Sequence, residues 1–176
     1  MKFTQTKLDG AYIIELNKIE DERGFFARAW CQEEFKAHGL SENIAQTNIA
    51  FNRHKGILRG MHRQIHPFEE VKVVRCIRGS IYDVIVDLRK GSKTYKQWIG
   101  VRLTSENRTA LYVPEGFAHG YLTLEENSEV FYQVSQFYSP EHESGVRWND
   151  SAFCIEWPYI DEYLVSEKDQ AWPDFE

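Results

Sequence analysis

The sequence predicts an all-β protein, a jelly-roll sandwich or barrel with a few short peripheral helices. Three observations carry that expectation. Short apolar runs follow one another at near-even spacing between Val71 and Phe137, each bounded by turn residues. One of them, Ser80–Leu88, alternates with a period of two, as a strand must. Helical periodicity is scarce throughout.

Taken in order, Gln32–Ala37 reads as one or two helical turns stopped by Gly39. Gly56–Gln64 is a β-like run that ends on His62. Val71–Arg78 reads as a strand, Gly79 turns it, and Ser80–Leu88 returns. In that return strand Ile81, Asp83, Ile85 and Asp87 share one face, which places Asp83 on a partly buried surface. Further strands are expected at Gln97–Leu103, Ala110–Val113, Ala118–Leu124 and Glu129–Phe137. A short helix near Ser166–Ala171 closes the chain, with Ser166 and Asp169 spaced for a capping contact.

Bulk properties exclude several function classes. With 176 residues, the chain is expected to form a single domain over 1–176 with a real core. Its net charge of −6 argues against a nucleic-acid partner, which calls for a basic patch. Nothing approaches the roughly eighteen consecutive apolar residues of a membrane span, and the N-terminus has no secretory h-region. Cys31, Cys76 and Cys154 are odd in number and far apart, which suits reduced thiols in a cytoplasm rather than disulfides or structural zinc.

Two stretches concentrate the chemistry: Gly56-Ile-Leu-Arg-Gly-Met-His62-Arg-Gln64 and Pro114-Glu-Gly-Phe-Ala-His119-Gly120. Each sets a histidine beside glycines, where a backbone or ligand can approach closely. Lys72 and Asp83 lie on the strands between them and Tyr132 on the strand after. A base, a cation, a carboxylate and a phenol on neighbouring strands suit proton transfer. Each also has a bland reading: His119 bonded to Asp83 as architecture, Lys72 reaching solvent, Tyr132 as core. Arg23 and Arg59 each precede a glycine and suit a diphosphate, since guanidinium matches phosphate oxygens bidentately. Asp169 could cap a helix or fix the tautomer of an imidazole.

The two histidine stretches resemble the paired motifs of the cupin superfamily. Metal-bearing cupins carry a second histidine where Gln64 stands, and Lys72 brings positive charge nearby. His62, His119 and Glu69 or Glu70 are the only set left for a metal, so none is expected. More specifically, the chain resembles the dTDP-4-dehydrorhamnose 3,5-epimerase family. The resemblance rests on Asp21-x-Arg23-Gly24-x-Phe26, Gln46-x-Asn48, Leu58-Arg-Gly-Met-His62-x-Gln64, Lys72, Gly79-x3-Asp83-Val-x-Val-Asp87-Leu-Arg89, Pro114-x-Gly-Phe-Ala-His-Gly120, Tyr132, Trp148-Asn-Asp150, Trp157-Pro158 and Ser166-x-Lys168-Asp169.

That resemblance implies an epimerase that inverts C3, C5 or both in a nucleotide-linked 4-keto-6-deoxy sugar. His62 would be the base oriented by Asp169, Lys72 would steady the enolate, and Tyr132 would return the proton. Arg23, Arg59, Gln46 and Asn48 would hold the nucleotide diphosphate. Phe26, Gln64, Asp83, His119 and Lys168 complete the implied substrate site. No cofactor is implied, and a homodimer with crossing N-terminal segments is. Two alternatives stand beside it: a metal-dependent cupin such as an oxygenase, and a non-catalytic sugar-nucleotide binding module. The chain departs from the family at Arg28, commonly a glutamate near the base, and at Ala50, Asn52, Arg63 and Glu70-Val71. Those departures leave the base and the sugar open.

Overall fold

The computed structural model describes residues 1–175. Their elements run β1 (Lys2–Gln5), β2 (Tyr12–Glu15), β3 (Ile19–Asp21), β4 (Gly24–Phe26), α1 (Gln32–Ala37), β5 (Gln46–Asn52), β6 (Ile57–Gln64) and β7 (Lys72–Arg78). Then follow β8 (Ser80–Asp87), β9 (Trp98–Thr104), β10 (Ala110–Val113), β11 (Phe117–Thr123), β12 (Ser128–Val134), β13 (Glu143–Gly145), β14 (Leu164–Val165) and α2 (Glu167–Gln170). The bounds of α1 and β10 are those the sequence predicts. The other expected strands are shifted by a residue or two, except the last, which ends at Val134 rather than Phe137.

Two sheets face each other. The first has the order β1-β2-β10-β7-β12-β5 and the second β13-β6-β11-β8-β9, with β14 alongside β6. From β5 to β12 the chain changes sheet at nearly every connection, which is the expected jelly roll. Val74, Ile81, Ile85, Leu103, Leu111 and Val130 pack between the sheets. Phe35 of α1 covers one end of the first sheet's outer face, against Ile14, Ala110 and Tyr112.

The second sheet is covered on its outer face as well. Met61, Val84, Val86 and Ala118 pack there against Val146 and Phe153 from the segment after β13. Asp83 lies on the inner face with Ile81 and Ile85 and is fully buried between the sheets, not on the partly buried surface that alternation alone suggests. The opposite sheet covers that face, and no period in β8 can encode which strands come to lie there.

One glycine sets the site's geometry. Gly60 has φ +122°, and a Cβ there would stand 2.6 Å from the Cα of Gly120. The close approach lets β6 pair with β11 across a register shift, with His62 directly opposite His119.

Candidate active site

His62 and Tyr132 come from opposite sheets, on β6 and β12, and line the same space. A cavity of about 390 Å³ is walled by Gln46, Asn48, His62, Gln64, Lys72 and Tyr132, with Arg63, Glu70, Tyr138 and Glu143 at its sides. A second cavity of about 200 Å³ shares His62, Lys72 and Tyr132, and adds Arg59, His119 and Tyr121. Register explains the convergence. On β12, Tyr132 lies opposite Asn48 of β5 and Val74 of β7, while Val134 lies opposite Gln46 and Lys72. All of these side chains project inward by the period of two.

The imidazole of His62 is held from behind. Its Nε2 lies 2.5 Å from Asp169 Oδ1, and the other carboxylate oxygen accepts from the Gly60 N–H at 3.2 Å. Asp169 also donates its own N–H to Ser166 Oγ at 3.1 Å. The capping role and the imidazole role are thus both filled by one residue. Burial would push the Asp169 carboxyl up, but its bonds to His62, Gly60 and Ser166 bring it below the usual carboxylate range. An ionised Asp169 fixes the proton on Nε2 and leaves Nδ1 as the free lone pair.

Tyr132 is pushed up by burial and, secondarily, by the charge of Glu70, with Arg59 opposing. The phenol therefore stays protonated, as a proton donor must. Lys72 forms an ion pair with Glu70 at 3.0 Å, with only 12% of its side chain exposed. It does not snorkel to solvent.

His119 Nε2 meets Asp83 Oδ1 at 2.7 Å, so the pair forms and His119 still faces the smaller cavity. Asp83 stands behind it and does not line the cavity itself. Arg59 is aimed by Nε donating to Asn52 Oδ1 at 2.9 Å. Gln64 reaches the cavity, but its amide is tied to Phe68 O, Phe137 O and the Ser139 N–H, which makes it a brace. Lys168 lines neither cavity and reaches the larger one only through Glu143, to whose Oε2 it donates at 2.6 Å.

Arg23 and Phe26 are not brought to this cavity. They line a separate cleft of about 330 Å³ on the β3–β4 hairpin, and the Arg23 side chain is 85% exposed beside Asp21. Arg75, on the outer face of β7, donates to Ala29 O and Arg108 O, and Arg108 stacks on Phe25. The hairpin thus lies outside the sheet whose inner face carries the site. Arg28 lies on the same outer side, 3.7 Å from Glu34.

The family model for dTDP-4-dehydrorhamnose 3,5-epimerase matches residues 5–176. This chain belongs to that family. A dTDP-4-dehydrorhamnose 3,5-epimerase from Methanothermobacter thermautotrophicus is 44% identical over 97% of this chain and 92% of its own length. The crystal structure of the Elizabethkingia anophelis family member superposes with a TM-score of 0.96 at 40% identity, covering 99% of this chain and 96% of that one. The Legionella pneumophila member, solved with dTDP-4-keto-L-rhamnose, gives a TM-score of 0.91 at 34% identity, over 97% and 90% of the two chains. The chain is accordingly an isomerase of the nucleotide-sugar epimerase type.

Three cavity residues carry no signal of their own in the sequence, Tyr121 of β11 and the pair Tyr138 and Glu143. Tyr138 donates from its hydroxyl to Glu143 Oε2 at 2.7 Å, and Glu143 also meets Lys168. Tyr138 lies in the irregular segment after β12, and Glu143 opens the three-residue β13. All that marks the pair is a tyrosine and a glutamate around Ser139-Pro140, directly after the Tyr132 strand. Among the described residues no three histidine, cysteine or acidic side chains converge as metal ligands. Glu70 is engaged by Lys72 and Glu69 lies toward His66.

Proposed function

We propose that the chain inverts carbons beside the ketone of a dTDP-linked 4-keto-6-deoxy sugar, with His62 as base and Tyr132 as acid. The observation that carries this is their placement on opposite sheets around one cavity, with Lys72 between them. His62 Nδ1 takes the proton next to the carbonyl, and the electron pair moves into an enolate. The Lys72 ammonium donates to the enolate oxygen, where a fixed charge counts for most in a water-poor site. Tyr132 then gives its hydroxyl proton to the opposite face of the same carbon, which inverts it. Arg59, Gln46 and Asn48 border the diphosphate end.

The complete site is formed by two copies of the chain. Ile19 and Phe26 on the hairpin are 71% and 70% exposed, and Ile49, Phe51 and Ile77 leave an apolar outer face on the first sheet. A homodimer that covers this face would carry Arg23 and Phe26 to the partner's cavity. The enzyme works in the cytoplasm, where its three free thiols stay reduced.

Deuterium incorporation from heavy water tests the roles. His62→Asn is expected to lower exchange at the ring carbons by on the order of 10²–10⁴-fold or more. Tyr132→Phe is expected to keep exchange at the first carbon while inversion fails. Exchange at the normal rate in His62→Asn would remove it as the base.

A further inference from the structure

Glu70 is a carboxylate inside the reaction cavity that the chemistry above does not use. It lies two residues before Lys72, just ahead of β7, and both side chains line the larger cavity. Their exposures are 10% and 12%, and the ion pair measures 3.0 Å. Gln64, itself clamped by Phe68, Phe137 and Ser139, stands 3.5 Å from the other Glu70 oxygen. Glu70 thus sits beside a rigid brace, and its other oxygen meets the ammonium.

We propose that Glu70 is a positioning residue that holds the Lys72 ammonium on the path of the developing enolate oxygen. A lysine has four flexible carbons and three N–H donors. One donor engages Glu70 and fixes the direction of the stem. The remaining two stay free for the substrate oxygen. Placing a carboxylate beside a site of developing negative charge is unfavourable unless the ammonium stands between them. The geometry fits that order, since Glu70 contacts Lys72 while Lys72 alone borders the smaller cavity with His62 and Tyr132. The same charge helps keep Tyr132 protonated. The charged and titratable groups that line the two cavities with that phenol are Glu70, Arg59, His62, Lys72, His119 and Tyr121, with Arg63, Tyr138 and Glu143 at the sides of the larger one.

The inference rests on the epimerase reading, and the test separates the two. Glu70→Ala is expected to lower kcat by about 10²-fold through misplacement of the ammonium, with KM for the dTDP-keto sugar changed less than threefold. Glu70→Gln keeps the volume and one acceptor, and is expected to recover part of that loss. In both variants the alkaline limb of kcat moves to lower pH, because the phenol loses a neighbouring negative charge. In a Lys72→Ala background, Glu70→Ala is expected to add less than twofold. Normal kcat in both Glu70 variants, a rise in KM alone, or an equal further loss without Lys72 would overturn the inference. A wild-type enzyme that exchanged no deuterium into the sugar would instead sink the epimerase reading.

Discussion

Asp83 and Asp87 stand four residues apart on the same face of β8, and both are fully buried. Their surroundings differ in completeness. Asp87 accepts from Arg89 Nε at 2.9 Å, Arg89 Nη2 at 2.8 Å, the Arg89 backbone N–H at 3.0 Å and Thr94 Oγ1 at 2.7 Å, with Ser92 as a further donor. Asp83 has His119 on one oxygen, and its Oδ2 has no partner among the described residues. A buried carboxylate whose every lone pair is matched supports the fold and is indifferent to ligands. One matched to a single histidine at a cavity wall keeps that histidine oriented for something that arrives. The same residue type on the same strand thus closes a complete network at one end and backs a cavity-wall histidine at the other.

The sharpest way to break this comparison is to neutralise each carboxylate in turn. Asp83→Asn exchanges an acceptor for an amide that can face His119 with the wrong group, so the imidazole loses its fixed tautomer. Turnover is expected to fall by about 10²-fold, measured as epimerisation at saturating substrate. Turnover within twofold of wild type would place the His119–Asp83 pair with the scaffold. Asp87→Asn is expected to leave turnover within about twofold and to lower stability instead. Loss of turnover in Asp87→Asn well below its melting temperature would erase the distinction.

Much of this architecture was legible in the sequence, because period-two alternation and glycine turns are local signals. The Gly79 turn, with φ +73°, and the strands flanking it stand where the pattern puts them. β5 was not legible, and its reason is instructive. Its inward positions are Gln46, Asn48, the small Ala50 and Asn52, while Ile49 and Phe51 point outward and stay exposed. A strand that turns polar groups to the cavity and apolar groups to the surface inverts the usual rule, so alternation misreads it. Among site residues, His62, Lys72, Tyr132 and Asp169 could be named because each sits beside a glycine, on a strand or at a cap. Tyr138 and Glu143 could not, since their role depends on contacts with Lys168 across an irregular segment. Arg23 and Phe26, which the resemblance implies for the substrate site, stay exposed on the hairpin away from the cavity.

The smallest predicted effect is the pH dependence of the structural carboxylate. Burial would raise the Asp87 carboxyl, yet the bonds from Arg89, Ser92 and Thr94 bring it down to about 2 from an ordinary 3.8. A folded-state value below the unfolded one means the unfolded chain binds the proton more readily. The stabilisation is then fully present above pH ~3.8 and is lost as pH falls through ~2. After allowance for solvent screening it amounts to roughly 1–2 kcal/mol, or about 2–8 °C in melting temperature for a chain of this length. The gap in melting temperature between wild type and Asp87→Asn is therefore expected to be constant from neutral pH to about 4 and to close toward pH 2. Taking the difference between the two proteins cancels Asp169, whose carboxyl is also held low. A gap that stays open at pH 2 would mean that Asp87 acts through its shape and packing. In that case the contrast with Asp83 would be one of position along β8, not of how completely each charge is matched.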